Sequence, residues 1–410
     1  MLIIIKKHLS FIGALSFVFI IYIGTRPLGT HDSVWVIPTG LSILNEFNMN
    51  LDEYTSHGLS ESYAAVLVKG HYYNFFPYGL TFLVLPMIGL LKPILSENAF
   101  FLYQRHTEKF FATVLVVLAL VFLYRLFCFY LSRNKASFLI LFIGLGTSFF
   151  TTASRALWQH SGSVLLLSVS LYLLLYSFKK NERMVPLIAL VLVFAYAVRP
   201  TNLIPLLIIS VFVFFHFSAQ RWKYVGVLIV AFLSFFLFND FVFGDYLPPY
   251  YNSSRLVLDV NLFGKAIVGN LLSPNRGLLI WSPFFLFSFF AVFSEPKEQP
   301  FVLISCSVIF FHLMTISAFP HWWGGHSVGP RFMTDVVPFF AILICLSVKR
   351  FYKYSFFKYC FLFFVLLSFL IQFSAALSKK TQLWNIRELD INIAPERVWD
   401  WNKPQFYPFD

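Results

Sequence analysis

Charge is scarce in this 410-residue chain: 12% of its residues are Asp, Glu, Lys or Arg, about half the share in a soluble globular domain. That scarcity excludes a soluble enzyme, a disordered protein and a receptor with one anchor. Cysteine is also sparse. Cys128, Cys306, Cys345 and Cys360 all fall within or at the edge of apolar runs, so the sequence implies neither a disulfide framework nor a CxxC metal site. There is no D-x-D pair to hold a nucleotide-sugar metal, and no P-loop lysine follows a glycine-rich turn, which argues against nucleotide substrates. Tandem repeats, heptads and low-complexity linkers are missing too.

What the chain has in excess is apolar residues, 58% of the total, with a mean hydropathy of +0.73 and 54 phenylalanines. A helix needs roughly 17–25 apolar residues to cross ~30 Å of hydrocarbon, and fewer where its flanks snorkel. Eleven runs qualify: 9–23, 110–124, 136–150, 161–178, 184–198, 203–217, 224–239, 277–293, 300–318, 332–348 and 359–377. A twelfth, 75–91, carries Pro77 and Pro86 and reads as a re-entrant or interfacial helix, because proline removes backbone donors that lipid cannot satisfy. The expected fold is an all-α membrane domain over 1–377 with an aromatic-rich tail over 378–410.

Charge sets the orientation. With Lys6 and Lys7 inside, the inner loops hold 14 basic and three acidic residues, whereas the outer segments hold 16 of each. Short, basic inner loops are what the positive-inside rule requires. The net +12 therefore needs no nucleic-acid partner. A cytoplasmic N-terminus, an uncleaved first anchor and an exterior C-terminus are expected, as in a multi-pass protein of the bacterial inner membrane. The small-x-small pattern of a cleaved signal is missing after the first run.

Candidate chemistry lies outside, in residues 24–109, 243–276, 320–331 and 378–410. The first loop opens on Thr30-His31-Asp32-Ser33, directly after the first span. Asp32 is either a solvated cap or a functional acid placed at the membrane boundary. Further along, Tyr72-Tyr73-Asn74 leads into the proline-broken run and is placed to close a pocket. Arg199 lies 16 residues beyond Arg183, about 24 Å along a helix at ~1.5 Å per residue, hence below the outer surface of the bilayer. It either snorkels to headgroups or meets an anion such as a lipid phosphate. Arg276 and Arg331 also sit at outer lips of spans.

The segment from His321 to Arg331 combines Trp322, Trp323, three glycines, His326 and Arg331. The tryptophans either anchor at the interface or stack on sugar. Gly325-His326-Ser327-Val328-Gly329 matches the nucleophile elbow of hydrolases, but that motif works only on a strand–turn–helix, which is not expected here. Gln159 and His160 form a turn between two spans. His31, Asp32, His160 and His326 could hold a divalent cation if their loops converged, so a metal is possible and no cofactor is firmly implied. The sequon Asn252-Ser253-Ser254 matters only in a glycosylating host, and the tail carries Trp384, Trp399, Trp401, Phe406, Tyr407 and Phe409.

This arrangement of one span, a long loop with an early acid, a second polar turn two spans later, Arg199-Pro200 and Gly-His-Ser-Val-Gly-Pro-Arg resembles the GT-C superfamily. These polytopic glycosyltransferases use polyprenyl-phosphate sugars and include protein mannosyltransferases and lipid A aminoarabinose transferases. The resemblance implies inverting sugar transfer to a lipid, glycan or protein acceptor, with Asp32 as general base. Arg199, Arg331 and Arg276 would bind the donor phosphate. His31, Gln159, His160, Trp322, Trp323, His326, Tyr72, Tyr73 and Asn74 would contact substrate. Many members carry a second acid in the later turn, where this chain has Gln159 and His160. The alternatives are a transporter or flippase of a lipid-linked anion and a glycan ligase or polymerase using a lipid diphosphate donor.

Overall fold

The computed structural model describes residues 2–252 and 259–407. Ser253 and Ser254 of the sequon and Phe409 of the tail lie outside them. The described chain is an all-α membrane protein. Its helices are α1 (Leu2–Gly24), α2 (Val36–Asn45), α3 (Gly79–Leu91), α4 (Glu97–Leu102), α5 (Gln104–Phe127), α6 (Arg133–Leu145), α7 (Gln159–Lys179), α8 (Val185–Val198), α9 (Leu203–His216) and α10 (Arg221–Phe243). They continue with α11 (Val260–Leu272), α12 (Leu278–Trp281), α13 (Gln299–Ser317), α14 (Val337–Phe351), α15 (Ser355–Leu377) and α16 (Lys380–Leu383). Among the described residues six helical stretches are long and apolar enough to cross a bilayer: Gln104–Phe127, Gln159–Lys179, Arg221–Phe243, Pro296–Ser317, Arg331–Phe351 and Ser355–Leu377.

Every one of the eleven apolar runs coincides with helix, but three are built in pieces. The run 136–150 passes from α6, which ends at Leu145, to a π-helical turn, Phe149–Ala153. The run 277–293 breaks after α12 at Ser282, whose hydroxyl donates to the Gly146 carbonyl at 2.8 Å. Pro283 then opens a 3₁₀ helix through Phe293. The missing proline N–H suits a first helical position, and at ~2.0 Å per residue the tighter helix covers more length than α geometry would. The run 332–348 likewise begins as a 3₁₀ turn, Arg331–Val336, and becomes α14 at Val337.

Packing centres on α7, which lies against α5 and α8, while α8 packs on α10, α1 on α6, and α14 on α13 and the 3₁₀ helix. The stretch Arg331–Phe351 is the most enclosed of the six long helical stretches and α10 the least. The twelfth run forms α3, thirteen residues with Pro86 inside it, packed on α2 and α8. Its length, about 20 Å at ~1.5 Å per residue, falls short of a bilayer core.

A two-stranded hairpin, β1 (Ala65–Val68) and β2 (His71–Asn74), pairs antiparallel from Ala65–Asn74 to Val68–His71 in the first loop. At the other end of the bundle Lys349 bridges Glu295 at 2.8 Å and Glu298 at 2.6 Å. Two of the three acids assigned to the inner loops are thus neutralised there.

Candidate active site

The segment that leaves α1 is fastened to two other elements before it reaches Asp32. The Thr25 hydroxyl donates to the Tyr22 carbonyl at 2.8 Å, and Lys109 donates to the Ile23 carbonyl at 2.9 Å. The Leu28 amide donates to the Arg155 carbonyl at 2.9 Å, while the Arg155 Nε donates to the Arg26 carbonyl at 3.0 Å. The Trp158 indole N–H then donates to Thr30 Oγ1 at 2.6 Å, and that oxygen also accepts from the Asp32 amide at 3.1 Å. One residue on, Ser33 donates to the buried Glu108 of α5 at 2.5 Å. Asp32 is therefore held on a short stretch pinned to α5 and to the turn before α7.

The Asp32 carboxylate points at two partners. Arg331 Nη2 donates to Oδ2 in an ion pair that joins residues 299 apart in sequence. Tyr63, from the first loop, donates its hydroxyl to Oδ1 at 2.5 Å. The Arg331 guanidinium lies over the Trp158 ring, 4.3 Å from its centroid, so the indole that fixes Thr30 also backs the cation. Burial pulls the Asp32 carboxyl upward, but the adjoining Arg331 charge and the Tyr63 hydrogen bond outweigh it and hold the carboxyl below its usual range.

These groups line a cavity of about 560 Å³ together with His31, Arg105, His326, Gly324, Gly325 and, from the tail, Gln382, Asn385 and Asn392. Asp32 is the one carboxylate among the described lining residues, and Arg105 and Arg331 are the arginines. Gly324, Gly325 and Gly329 have φ of 75°, 60° and 61°, a left-handed conformation that glycine adopts without a Cβ clash. At Gly329 a Cβ would also fall within 3 Å of the Trp281 ring. These turns bring the backbone up to the cavity and deliver Arg331 to Asp32.

Of the candidate residues, His31, Asp32, His326 and Arg331 line this one cavity, and the others do not. Arg199 is a correction: its Nε pairs with Asp335 Oδ2 at 2.8 Å, with the side chains 7% and 1% exposed, away from the Asp32 cavity. Its anion is a carboxylate of this chain. His160 donates to Asp335 through Nδ1, 3.1 Å from both carboxylate oxygens, and is fully buried. Gln159 is buried beside it with its amide atoms unpartnered.

Arg276 is likewise inside the protein. It donates to the Trp323, Asn275 and Gly325 carbonyls and to Gln405 and Asn385. It clamps the glycine turn to the tail and does not line the cavity. Trp322 and Trp323 are buried in an apolar cluster with Ala266, Trp384, Ile391 and Val398, so they serve as packing. The Tyr72 amide donates to Asp52 Oδ1 at 2.8 Å, Tyr73 packs on Phe243, and Asn74 Oδ1 accepts from the Phe76 amide at 3.0 Å. All three belong to the hairpin's own fold.

Sequence reasoning did not single out Tyr63, Arg105, Asp335 or the tail amides. Among the described residues no three His, Cys, Asp or Glu side chains converge as a metal site. His160 is engaged by Asp335, and His326 by Asp390 at 2.8 Å, so the four residues considered for a divalent cation do not form its ligand set. Ser327 of the elbow-like motif is buried in the turn series, with no strand leading into it.

No family model matches this sequence, and no curated protein does. Among solved structures the chain superimposes on the crystal structure of ArnT from Cupriavidus metallidurans bound to undecaprenyl phosphate, with a TM-score of 0.60. The match covers 92% of this chain and 67% of that one, at 13% sequence identity. The chain shares the fold of that structure. Within this fold the cavity is assembled from the segment that follows α1, Tyr63 of the first loop, the first turn of α5, the residue before α7, the turns before α14 and the tail that follows α15.

Proposed function

We propose that this protein is a membrane glycosyltransferase that moves a sugar from a polyprenyl phosphate to an acceptor hydroxyl at the exterior face. The observation that carries the reading is the convergence of Asp32 with Arg331 and Arg105 in one cavity. The reaction asks for little else. A phosphate leaving group is already a stable anion and needs no proton, but it needs positive charge as the glycosidic bond breaks. Asp32 takes the acceptor's hydroxyl proton, the acceptor oxygen bonds the anomeric carbon from the face opposite the phosphate, and the carbon–oxygen bonding pair leaves with the phosphate. That geometry inverts the anomeric centre.

Of the three arginines expected at the phosphate, Arg331 keeps that role and Arg105 joins it, whereas Arg199 and Arg276 are consumed by internal partners. The neutral amides of Gln382, Asn385 and Asn392 suit sugar hydroxyls. A separate apolar groove of about 510 Å³ runs between α3, α8 and α10, lined by Tyr78, Phe82, Val193, Ala197, Val230 and Phe235 among others. Its α10 wall belongs to the least enclosed long helix, which suits entry of a prenyl chain from lipid.

The test uses purified protein in lipid nanodiscs with labelled polyprenyl-phosphate sugars, reading release of polyprenyl phosphate. Release that depends on an added membrane-lipid or glycan acceptor supports transfer, whereas passage across a vesicle bilayer without bond cleavage would mark a flippase. Binding of undecaprenyl phosphate is expected to weaken about tenfold or more in Arg331→Ala and several-fold in Arg105→Ala, since hydrogen bonds to charged groups contribute about 1.5–3 kcal/mol. Lys403→Ala, on an exposed pair with Glu388, should leave it unchanged. The orientation has its own check. Alkaline phosphatase fused after residue 410 is expected to be active outside the cytoplasm, and a fusion active only inside would reverse the topology.

A further inference from the structure

The Asp32 carboxylate has two holders, and they differ in what a donor would do to them. Arg331 is a cation facing the cavity, so an anionic headgroup entering that cavity competes with Asp32 for it. Tyr63 is neutral, and its hydroxyl has no comparable reason to leave. Its side is fixed from the first loop, where the Trp35 indole N–H donates to Ser62 at 2.9 Å and the Ala64 amide donates to the same oxygen at 3.3 Å.

A carboxylate bound by a guanidinium is a weak base, since that partner favours its charged form. Resting Asp32 is in that condition. The groups facing it are His31 and Tyr63 from the first loop, Arg105 from α5, His160 from α7 and Arg331 from the turn before α14. Of these, Arg331 alone is bonded to it as a cation.

Resting on the glycosyltransferase reading, we propose that Arg331 is handed from Asp32 to the donor phosphate, and that Tyr63 is the positioning residue that keeps the freed carboxylate aimed at the acceptor. Donor binding then switches the base on. Without donor the carboxylate stays neutralised by Arg331, which also disfavours activation of water. Once the phosphate holds Arg331, burial raises the proton affinity of Asp32, and Asp32 takes the acceptor proton as the new carbon–oxygen bond forms. The bonding pair of the old bond goes to the phosphate oxygen beside Arg331. Departure of polyprenyl phosphate returns Arg331 to Asp32, whose proton passes to solvent.

Carbodiimide modifies protonated carboxyls, so it reads this exchange directly on the full chain without knowledge of the sugar. Undecaprenyl phosphate binding is measured on wild-type protein, and Asp32 labelling is followed by peptide mass spectrometry at fixed, mildly acidic pH. Saturating lipid is expected to raise labelling about tenfold, equivalent to ~1.4 kcal/mol in the protonation equilibrium. In Arg331→Gln, labelling is expected to be high with or without lipid. In Tyr63→Phe, lipid should bind as in wild type, but labelling of the bound form should persist to higher pH, because a hydrogen bond to the charged form is gone. Tyr63 is 61% exposed and the substitution removes only its oxygen, so a merely structural residue would show no such shift.

Lipid binding with Asp32 labelling unchanged overturns the exchange and leaves the glycosyltransferase reading standing. An equal lipid-induced rise in Arg331→Gln also overturns it, because the effect would not then pass through Arg331. An unshifted pH profile in Tyr63→Phe removes the positioning role. Failure of undecaprenyl phosphate to bind wild-type protein rejects both the exchange and the reading beneath it.

Discussion

Asp32→Asn is expected to lower sugar transfer by about 10²–10⁴-fold, the contribution of a positioned general base, while the protein still binds polyprenyl phosphate. The amide keeps the carboxylate's shape and its hydrogen bond from Tyr63, but it cannot take a proton at neutral pH. The loss should therefore appear in kcat, with little change in donor KM. Stability should change little, since the Asp32 and Arg331 side chains are 25% and 15% exposed and partly solvated ion pairs contribute modestly. Donor affinity has an informative direction. An Asn at position 32 no longer holds Arg331 as a counter-charge, so polyprenyl phosphate should bind as well as before or more tightly. Turnover equal to wild type would eliminate Asp32 as the base, and lost donor binding would assign it to binding instead.

Much of the architecture was legible because hydropathy is a local property. Each of the eleven runs announces itself within about 20 residues, without any tertiary knowledge. The break at Ser282–Pro283 was hidden in an unbroken apolar run, although Pro283 was its signal. Asp32 and Arg331 were readable from position, each polar and at the edge of a span in a sequence poor in charge. Their contact was not, since it joins residues 299 apart.

Tyr63 is one of 20 tyrosines, and only the loop's path around Ser62 turns it toward Asp32. Arg105 is an arginine in the first turn of α5, a position as close to the membrane boundary as that of Arg199. Asp335 carried the clearest missed signal: a lone carboxylate inside an apolar run needs a partner by default. Arg199 is a buried cation that requires an anion, and that anion lies in the same chain 136 residues further on.

That buried pair gives the largest expected effect on stability. Asp335→Asn leaves Arg199 enclosed and charged with no counter-ion, and removing one partner of a buried pair costs about 3–5 kcal/mol. Thr201 still accepts from the Arg199 Nε at 3.0 Å, but a hydroxyl cannot neutralise the charge. Arg199→Met strands Asp335 with only the buried histidines His160 and His312 near it. The double variant Arg199→Met with Asp335→Asn removes both charges and keeps an acceptor for His160, so it should recover most of the loss.

Thermal unfolding in nanodiscs measures this cycle. The expected result is two destabilised single variants and a double variant close to wild type, with a coupling on the order of 3 kcal/mol. Additive losses would show that the two residues act independently. The cycle also bears on activity, because Asp335 lies four residues beyond Arg331 on one continuous 3₁₀ turn, Arg331–Val336. Loss of the Asp335 anchor should loosen that turn and with it the placement of Arg331 over Trp158. The single variants should therefore lose donor affinity along with stability, and the double variant should regain both.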